Sequence, residues 1–196
     1  MRHDVTVEGF AFRLRPVQPS DAVTIVELRR DPSRSAFIHE TDPSVEAQQR
    51  WLAAYAERPG DWYWAVERQD DGTTEGFLGI YDRDRDTAEW GRWVLRPGSL
   101  AAPESAWLVH QAGFQRLELA TLLSRTLTDN GAVVALHERY GAERVRTIPG
   151  HARIGGVPHD AVEARMTREL WTTSGPRLEG MARRAAGLVR RSAAQV

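Results

Sequence analysis

The chain of 196 residues contains no cysteine, which removes disulfides, thiolate metal sites and cysteine nucleophiles together and fits a reducing compartment. Lysine is absent as well. All 26 residues counted as Lys or Arg are arginine, so Schiff-base and P-loop lysine chemistry are excluded. Long apolar runs are also missing: no stretch approaches the ~18 apolar residues of a membrane helix, and the opening MRHDVTVEGFAFRLRPV lacks the apolar centre of a signal peptide. A cytoplasmic protein without a membrane partner is expected. There is no surplus of charge either, because 26 Lys+Arg against 27 Asp+Glu leave a net charge of −1. Nothing global steers the chain toward nucleic acid, and any anion it binds must be met locally.

What is present is a length suited to one compact domain, with 41% hydrophobic residues to fill its core. AFRLRPV alternates apolar and basic residues as a half-buried strand does, and QPSDAVTIVELRRD follows as a helix capped by Ser20 or Asp21. PSRSAFIHETD reads as a loop. SVEAQQRWLAAYAERPG reads as a second helix, opened by a serine and stopped at Pro59-Gly60. DWYWAVERQ and EGFLGIYDRD flank the turn DDGTT and pair as a hairpin, with TAEWGRWVLR as the next strand. A helix from Pro103 to about Leu117 follows, then a buried strand LATLLSRTLT, a short helix closed by Gly141, and two strands around a Gly-Pro turn. The order β-α-α-β-β-β-α-β-α-β-β predicts an α/β mixed sheet with helices on both sides. One domain is expected over residues 1–175. Residues 176–196 form a basic, alanine-rich tail, read as a terminal helix partly ordered or packed on its own domain, with membrane or partner contact as the alternative.

The element order, together with EGFLGIYD, AEWGRWVL and TLTDNGAVVALHERYGAE, resembles the GNAT superfamily of acyl-CoA-dependent N-acyltransferases over about residues 11–170. The most specific match is Asn130 followed by His137. A helix starting at Asn130 brings residue 137 two turns on, on nearly the same face. The resemblance implies a mostly antiparallel sheet and acetyl-CoA as co-substrate. It also implies that Asn130 meets the pantetheine arm or a water, and that His137, at the place of the family's tyrosine, hydrogen-bonds or protonates the departing thiolate. With an ordinary pKa of ~6.5, a histidine can do either; a histidine that simply packs in the core is the competing account.

The family carries a glycine-rich loop that closes backbone amides on the CoA pyrophosphate. Here the corresponding segment is RPGSLAAPESA. Pro103 supplies no N–H, and a positive helix end with slim residues before it remains. Val94, Leu95, Arg96, Ser99, Leu100, Ala101, Ala102 and Ser105 are therefore taken as the donor-binding set, with Asn130. Family members often place a carboxylate on the fourth strand, and Glu89 is the corresponding candidate for the base that takes the amine proton. A surface glutamate paired with Arg92 or another arginine is the competing account, and Asp129 is a second choice that could equally cap a helix. His39, Trp90, Arg92, Thr128 and Asp129 are taken as the acceptor side. Trp62, Trp64 and Trp93 are further candidates there, although most of the seven tryptophans belong in a core. His151 and His159 match no metal spacing and are read as exposed or structural; no metal is expected.

The strands AEWG and HDAVEARMTRELW and the segment LHERYGAE resemble most the bacterial enzymes that acetylate amino sugars, including nucleotide-linked ones. They are also similar to those acting on ribosomal-protein amino termini. A carrier-protein-bound acyl donor and a noncatalytic binding or assembly protein stay open, the latter on Pro103 and the missing tyrosine. A homodimer is the default assembly.

Overall fold

The structure is a computed structural model that describes residues 3–38, 42 and 44–193. Eight strands form one sheet in the order β1-β2-β3-β4-β5-β6-β8-β7. They are β1 (Val7–Glu8), β2 (Phe12–Pro16), β3 (Trp62–Arg68), β4 (Thr74–Asp84), β5 (Thr87–Leu95), β6 (Thr121–Leu127), β7 (Glu143–Ile154) and β8 (Val157–Thr167). Every neighbouring pair is antiparallel except β5 and β6. The helices are α1 (Ala22–Arg30), α2 (Pro32–Ser35), α3 (Val45–Tyr55), α4 (Ala102–Gln111), α5 (Gly131–Tyr140) and α6 (Arg168–Ala193), and α4 continues as a π-helical stretch to Arg116. The mixed, mostly antiparallel sheet flanked by helices is the fold expected from the sequence. Two short pieces escaped that reading: the two-residue β1, and the four-residue α2 inside the segment read as a loop.

Strand alternation divides the core into two layers. On one face Trp64, Val66, Leu78, Ile80, Trp90 and Leu122 pack against Leu108 and Val109 of α4 and Leu178 and Ala186 of α6. On the other, Tyr63, Ala65, Phe77 and Val94 pack against Ile25 and Leu28 of α1 and Leu52 and Tyr55 of α3. Each fully buried large apolar side chain contributes about 1.5–3 kcal/mol.

The boundary drawn at residues 175 and 176 falls inside α6. Ser174, Leu178, Ala182, Ala185, Ala186 and Val189 are buried at helical spacing, so the segment read as a tail is the second half of a helix laid on α4. Pro176 sits on the exposed face. Among the described residues no helix is long and apolar enough to cross a membrane.

Candidate functional site

β5 and β6 pair only from Thr87–Glu89 against Thr121–Leu123. Just beyond, the β4–β5 register passes from Gly79 opposite Gly91 to Phe77 opposite Val94, so Arg92 and Trp93 together face Leu78. Arg92 takes a left-handed φ of 50°, a conformation a side chain adopts only under local constraint. Such a bulge bends its strand, and here it sits where β5 leaves β6. A cavity of about 220 Å³ opens in the gap, and its wall includes Tyr81, Glu89, Trp90, Arg92, Trp93, Ser124, Arg125, Asn130 and His137 together with Arg29, Phe37 and His151.

α5 supplies one side. Asn130 is its N-cap residue without a side-chain capping bond, and the helix ends at Gly141 with φ 98°, the left-handed turn that favours glycine there. Seven residues along, His137 is buried. Its Nδ1 lies 3.1 Å from the Ser124 hydroxyl, while its Nε2 is buried without a hydrogen-bond partner among the described residues. Burial, with a smaller push from His110, holds the His137 pKa down at about 3. The imidazole is therefore neutral near neutrality, and the sequence-based expectation of a pKa near that of a free histidine is corrected: a desolvated ring inside the protein disfavours the cation.

Glu89 supplies the other side, and Tyr81 stands directly opposite it across the ladder. The Tyr81 hydroxyl donates to Glu89 Oε1 at 2.9 Å, and Arg125 Nη1 donates to Oε2. Arg125 also reaches Glu163 Oε2 at 2.9 Å, and Arg146 reaches Glu163 Oε1 at 2.9 Å. Burial holds the Glu89 carboxyl above its ordinary range, against the pull of Arg125 and the Tyr81 hydrogen bond. Glu89 is thus paired with an arginine, but with Arg125 and not Arg92. Arg92 makes a two-pronged ion pair with Asp61 at 2.6 and 3.0 Å.

The loop between β5 and α4 is pinned at its base. Arg96 donates from Nε to the Thr74 carbonyl at 2.8 Å, and its own carbonyl accepts from Ser99 N at 3.1 Å. Gly98 turns the chain with φ 76°. Ser99 Oγ accepts from Ala101 N. Ser105 is buried, accepts from Trp93 Nε1 at 3.1 Å and donates to the Ala102 carbonyl; its hydroxyl is already engaged inside the protein. Ala101 is buried and Leu100 exposed, and the first-turn amides of Ala102 and Glu104 have no intrahelical acceptor. Glu104 turns its carboxylate away from this end: Oε1 accepts from the amides of Phe10, Ala11 and Phe12 at 2.5, 2.9 and 3.0 Å.

Of the residues singled out from the sequence, Glu89, Trp90, Arg92, Val94, Asn130 and His137 meet at the cavity. Leu95 is buried on the opposite face, in the core with α4. Thr128 instead donates to the Asp160 carbonyl, and Asp129 pairs with His159 at 2.8 Å. Both thereby latch the β7–β8 hairpin rather than lining the cavity. His39 lies outside the described residues. His151, read as exposed or structural, is in the wall. Tyr81, Ser124 and Arg29 were not singled out, and the alternation of β4 and β6 is the signal that places the first two.

The acetyltransferase (GNAT) domain family matches residues 12–143. Among solved structures, a GCN5-related N-acetyltransferase from Brucella melitensis is 19% identical, with 91% of this chain and 85% of that one covered and a TM-score of 0.77. FdhC, a nucleotide-linked sugar GNAT solved in its apo form, is 22% identical over 87% and 94% of the two chains, at a TM-score of 0.73. A mutant of the spermidine N-acetyltransferase from Vibrio cholerae is 15% identical over 82% and 96%, at 0.72. No curated protein matches. With the family match spanning well over half the sequence and the strands parting around a glutamate and a histidine, the chain belongs to the GNAT acetyltransferases.

Proposed function

We propose that this acetyltransferase moves an acetyl group from acetyl-CoA to the primary amine of an amino sugar or nucleotide-linked amino sugar. The observation that carries this reading is the convergence, in one cavity where β5 and β6 part, of a buried carboxylate and a buried histidine whose Nε2 has no hydrogen-bond partner among the described residues. Glu89 takes the amine proton, an uptake favoured by the burial that raises its carboxyl above the ordinary range. His137, being neutral, does not act as a cationic acid. It offers a hydrogen bond from Nε2 to the departing sulfur, and Asn130 meets the pantetheine arm beside it. The amides of Leu100 and Ala102 and the end of α4 attract the donor's phosphates.

The acceptor class rests on the hydrogen-bond donors of the wall. Arg29, Arg92 and Arg125 line the cavity with Glu89; Arg92 is paired with Asp61 and Arg125 with Glu89 and Glu163, so the guanidiniums offer N–H donors that suit a phosphate-bearing acceptor rather than a surplus of charge. The similarity to a nucleotide-linked sugar GNAT points the same way.

Pro103 and the engaged Ser105 favour one second reading, in which the acyl donor is carried on a protein-bound pantetheine arm and needs no pyrophosphate seat. A thermal-shift titration with acetyl-CoA and CoA separates the two. On the main reading the melting temperature rises, by the equivalent of ~2.7 kcal/mol at ~100 dissociation constants of free ligand. No shift at millimolar acetyl-CoA transfers support to the carrier-borne donor. Thiol release with a nucleotide-linked amino sugar, a free amino sugar, spermidine and a serine-ended peptide then ranks the acceptors.

A further inference from the structure

Glu89 is a buried carboxylate with both oxygens engaged, one by the Tyr81 hydroxyl and one by Arg125. An amine reaching for Oε1 finds the phenol already there. Tyr81 itself is only partly buried and stands in the cavity wall. Its hydroxyl lies against the backbone of Gly91, close enough that a Cβ at that position would run into it. Gly91 is the residue just before the bulge at which β5 leaves β6. The absence of a side chain at 91 is thus what lets a phenol reach the point where the strands part. The Arg92 guanidinium lies over the Tyr81 ring, 4.2 Å from its centre, and is fixed there by Asp61.

We propose that Tyr81 is the group that meets the acceptor amine, and that its hydroxyl passes the amine's proton inward to Glu89. The inference rests on the acetyl-transfer reading given above. As a proton leaves the ammonium nitrogen for Tyr81 Oη, the phenol's own proton moves along the existing hydrogen bond to Glu89 Oε1. The phenol ends as it began, the carboxylate ends protonated, and the freed lone pair attacks the thioester carbonyl carbon. A C–N bond forms and the C–S bond breaks. Of the two protons the nitrogen loses, one passes from Glu89 to solvent and the other ends on the departing sulfur, so that amide and thiol are the products.

The charges around the pair suit a relay. Arg92 over the ring stabilises the negative charge that develops on the phenol oxygen in transit. Burial, Glu89 and Asp82 oppose that charge and hold the phenol above its ordinary pKa, which favours a transfer in which the phenol gains one proton as it gives up the other. On the acceptor of the relay, Arg125 of β6 draws Glu89 toward the charged form, while burial, Asp82 of β4 and Glu163 of β8 push the other way.

The test compares Tyr81→Phe, Glu89→Gln and the double variant, with acetyl-CoA as donor and whichever amine of the four named above turns over fastest. The Phe variant keeps the ring under Arg92, and an unchanged thermal shift with acetyl-CoA reports an intact donor site. A relay predicts that Tyr81→Phe lowers kcat by ~10²-fold or more. The double variant should then fall no more than about 3-fold below the weaker single, because both changes cut one path. The Tyr81→Phe loss should also shrink above about pH 9, where free amine needs no base. A Tyr81→Phe enzyme within about 3-fold of the parent, losses that multiply in the double variant, or a deficit constant with pH each overturn the relay and leave Glu89 acting directly or Tyr81 acting as a packing residue. If the unaltered protein turns over no amine, the acetyl-transfer reading fails first, and the relay with it.

Discussion

The Ser124 hydroxyl lies 3.1 Å from Nδ1 of His137 across the buried gap between β6 and α5. A neutral imidazole carries one N–H. If Ser124 donates to Nδ1, the proton sits on Nε2, which is buried without a hydrogen-bond partner among the described residues. In that arrangement Ser124 acts as a positioning residue, selecting the tautomer able to donate toward a sulfur.

Replacing Ser124 with Ala should lower kcat by about 10-fold while leaving acetyl-CoA affinity unchanged, since a hydrogen bond that matters mainly in the transition state appears in kcat. His137→Phe should cost at least as much, and adding Ser124→Ala to it should cost nothing further. Because burial holds His137 at about 3, His137→Phe should change the height of the pH–rate profile between about pH 5 and 9 and not its shape. A limb near pH 6.5 that vanishes in the variant would show the histidine titrating and working as an acid.

The two buried histidines also set an acid limit on stability. His110 is held at about 4 by burial and His137 at about 3, against ~6.5 in an unfolded chain. Below ~6.5 the unfolded chain binds protons that the folded one refuses, so stability falls as pH drops, by about 1.4 kcal/mol per pH unit for each ring. His110→Leu removes one of these contributions. Its loss of stability between pH 7.5 and 5, measured by urea unfolding, should be smaller than the parent's by about 2 kcal/mol. Parallel curves for the two proteins would mean that His110 binds its proton in the folded state.

Glu89 and His137 were legible because each lies in a continuous stretch whose local pattern carries it: an alternating strand for one, an N-capped helix of two turns for the other. Tyr81 and Ser124 were not, because what brings them in is strand register. Tyr81 faces Glu89 only once β4 and β5 pair as they do, and a slip of one residue would turn it to the other face. In the loop before α4, Ala101 and Ser105, both taken from the sequence for the donor-binding set, are buried, because α4 begins beside them and turns them inward. The basic, alanine-rich segment from Pro176 on reads as a separate tail, and an interior proline does remove a helix hydrogen bond and crowd the preceding turn. Burial of the stripe from Ser174 to Val189 outweighs that loss, and only tertiary packing reveals it.

If α6 belongs to the core, two of its leucines should behave in opposite ways. Leu178 is fully buried and Leu188 is 46% exposed. Leu178→Ala should destabilise the fold by about 2–5 kcal/mol, since it deletes packed volume, whereas Leu188→Ala should stay within about 0.5 kcal/mol of the parent. Equal, small effects in chemical denaturation would detach the helix from the folding unit.

The last prediction concerns Glu104, whose carboxylate is fully buried at the start of α4. Oε1 accepts three amides of the turn between β1 and β2, while Oε2 is buried without a hydrogen-bond partner among the described residues. The turn needs an oxygen at one position; the amides and Arg190 favour a charge on it, and burial opposes that charge. Burial accordingly holds the Glu104 carboxyl above its ordinary range, against the three amides and Arg190. A folded-state pKa above the unfolded one means that the folded chain keeps the proton longer, so this group weakens the fold as pH rises toward neutrality. Glu104→Gln keeps an acceptor oxygen and drops the charge; at pH 7 it should be as stable as the parent or more so, with the advantage shrinking as pH falls toward 4.5. Glu104→Ala leaves the amides of Phe10, Ala11 and Phe12 without their acceptor, at about 1–3 kcal/mol for each one that water does not reach, and should lose at least about 3 kcal/mol. Urea unfolding of the three proteins at pH 7 and pH 5 distinguishes the cases: a glutamine variant as damaged as the alanine one would show that the negative charge itself holds the turn.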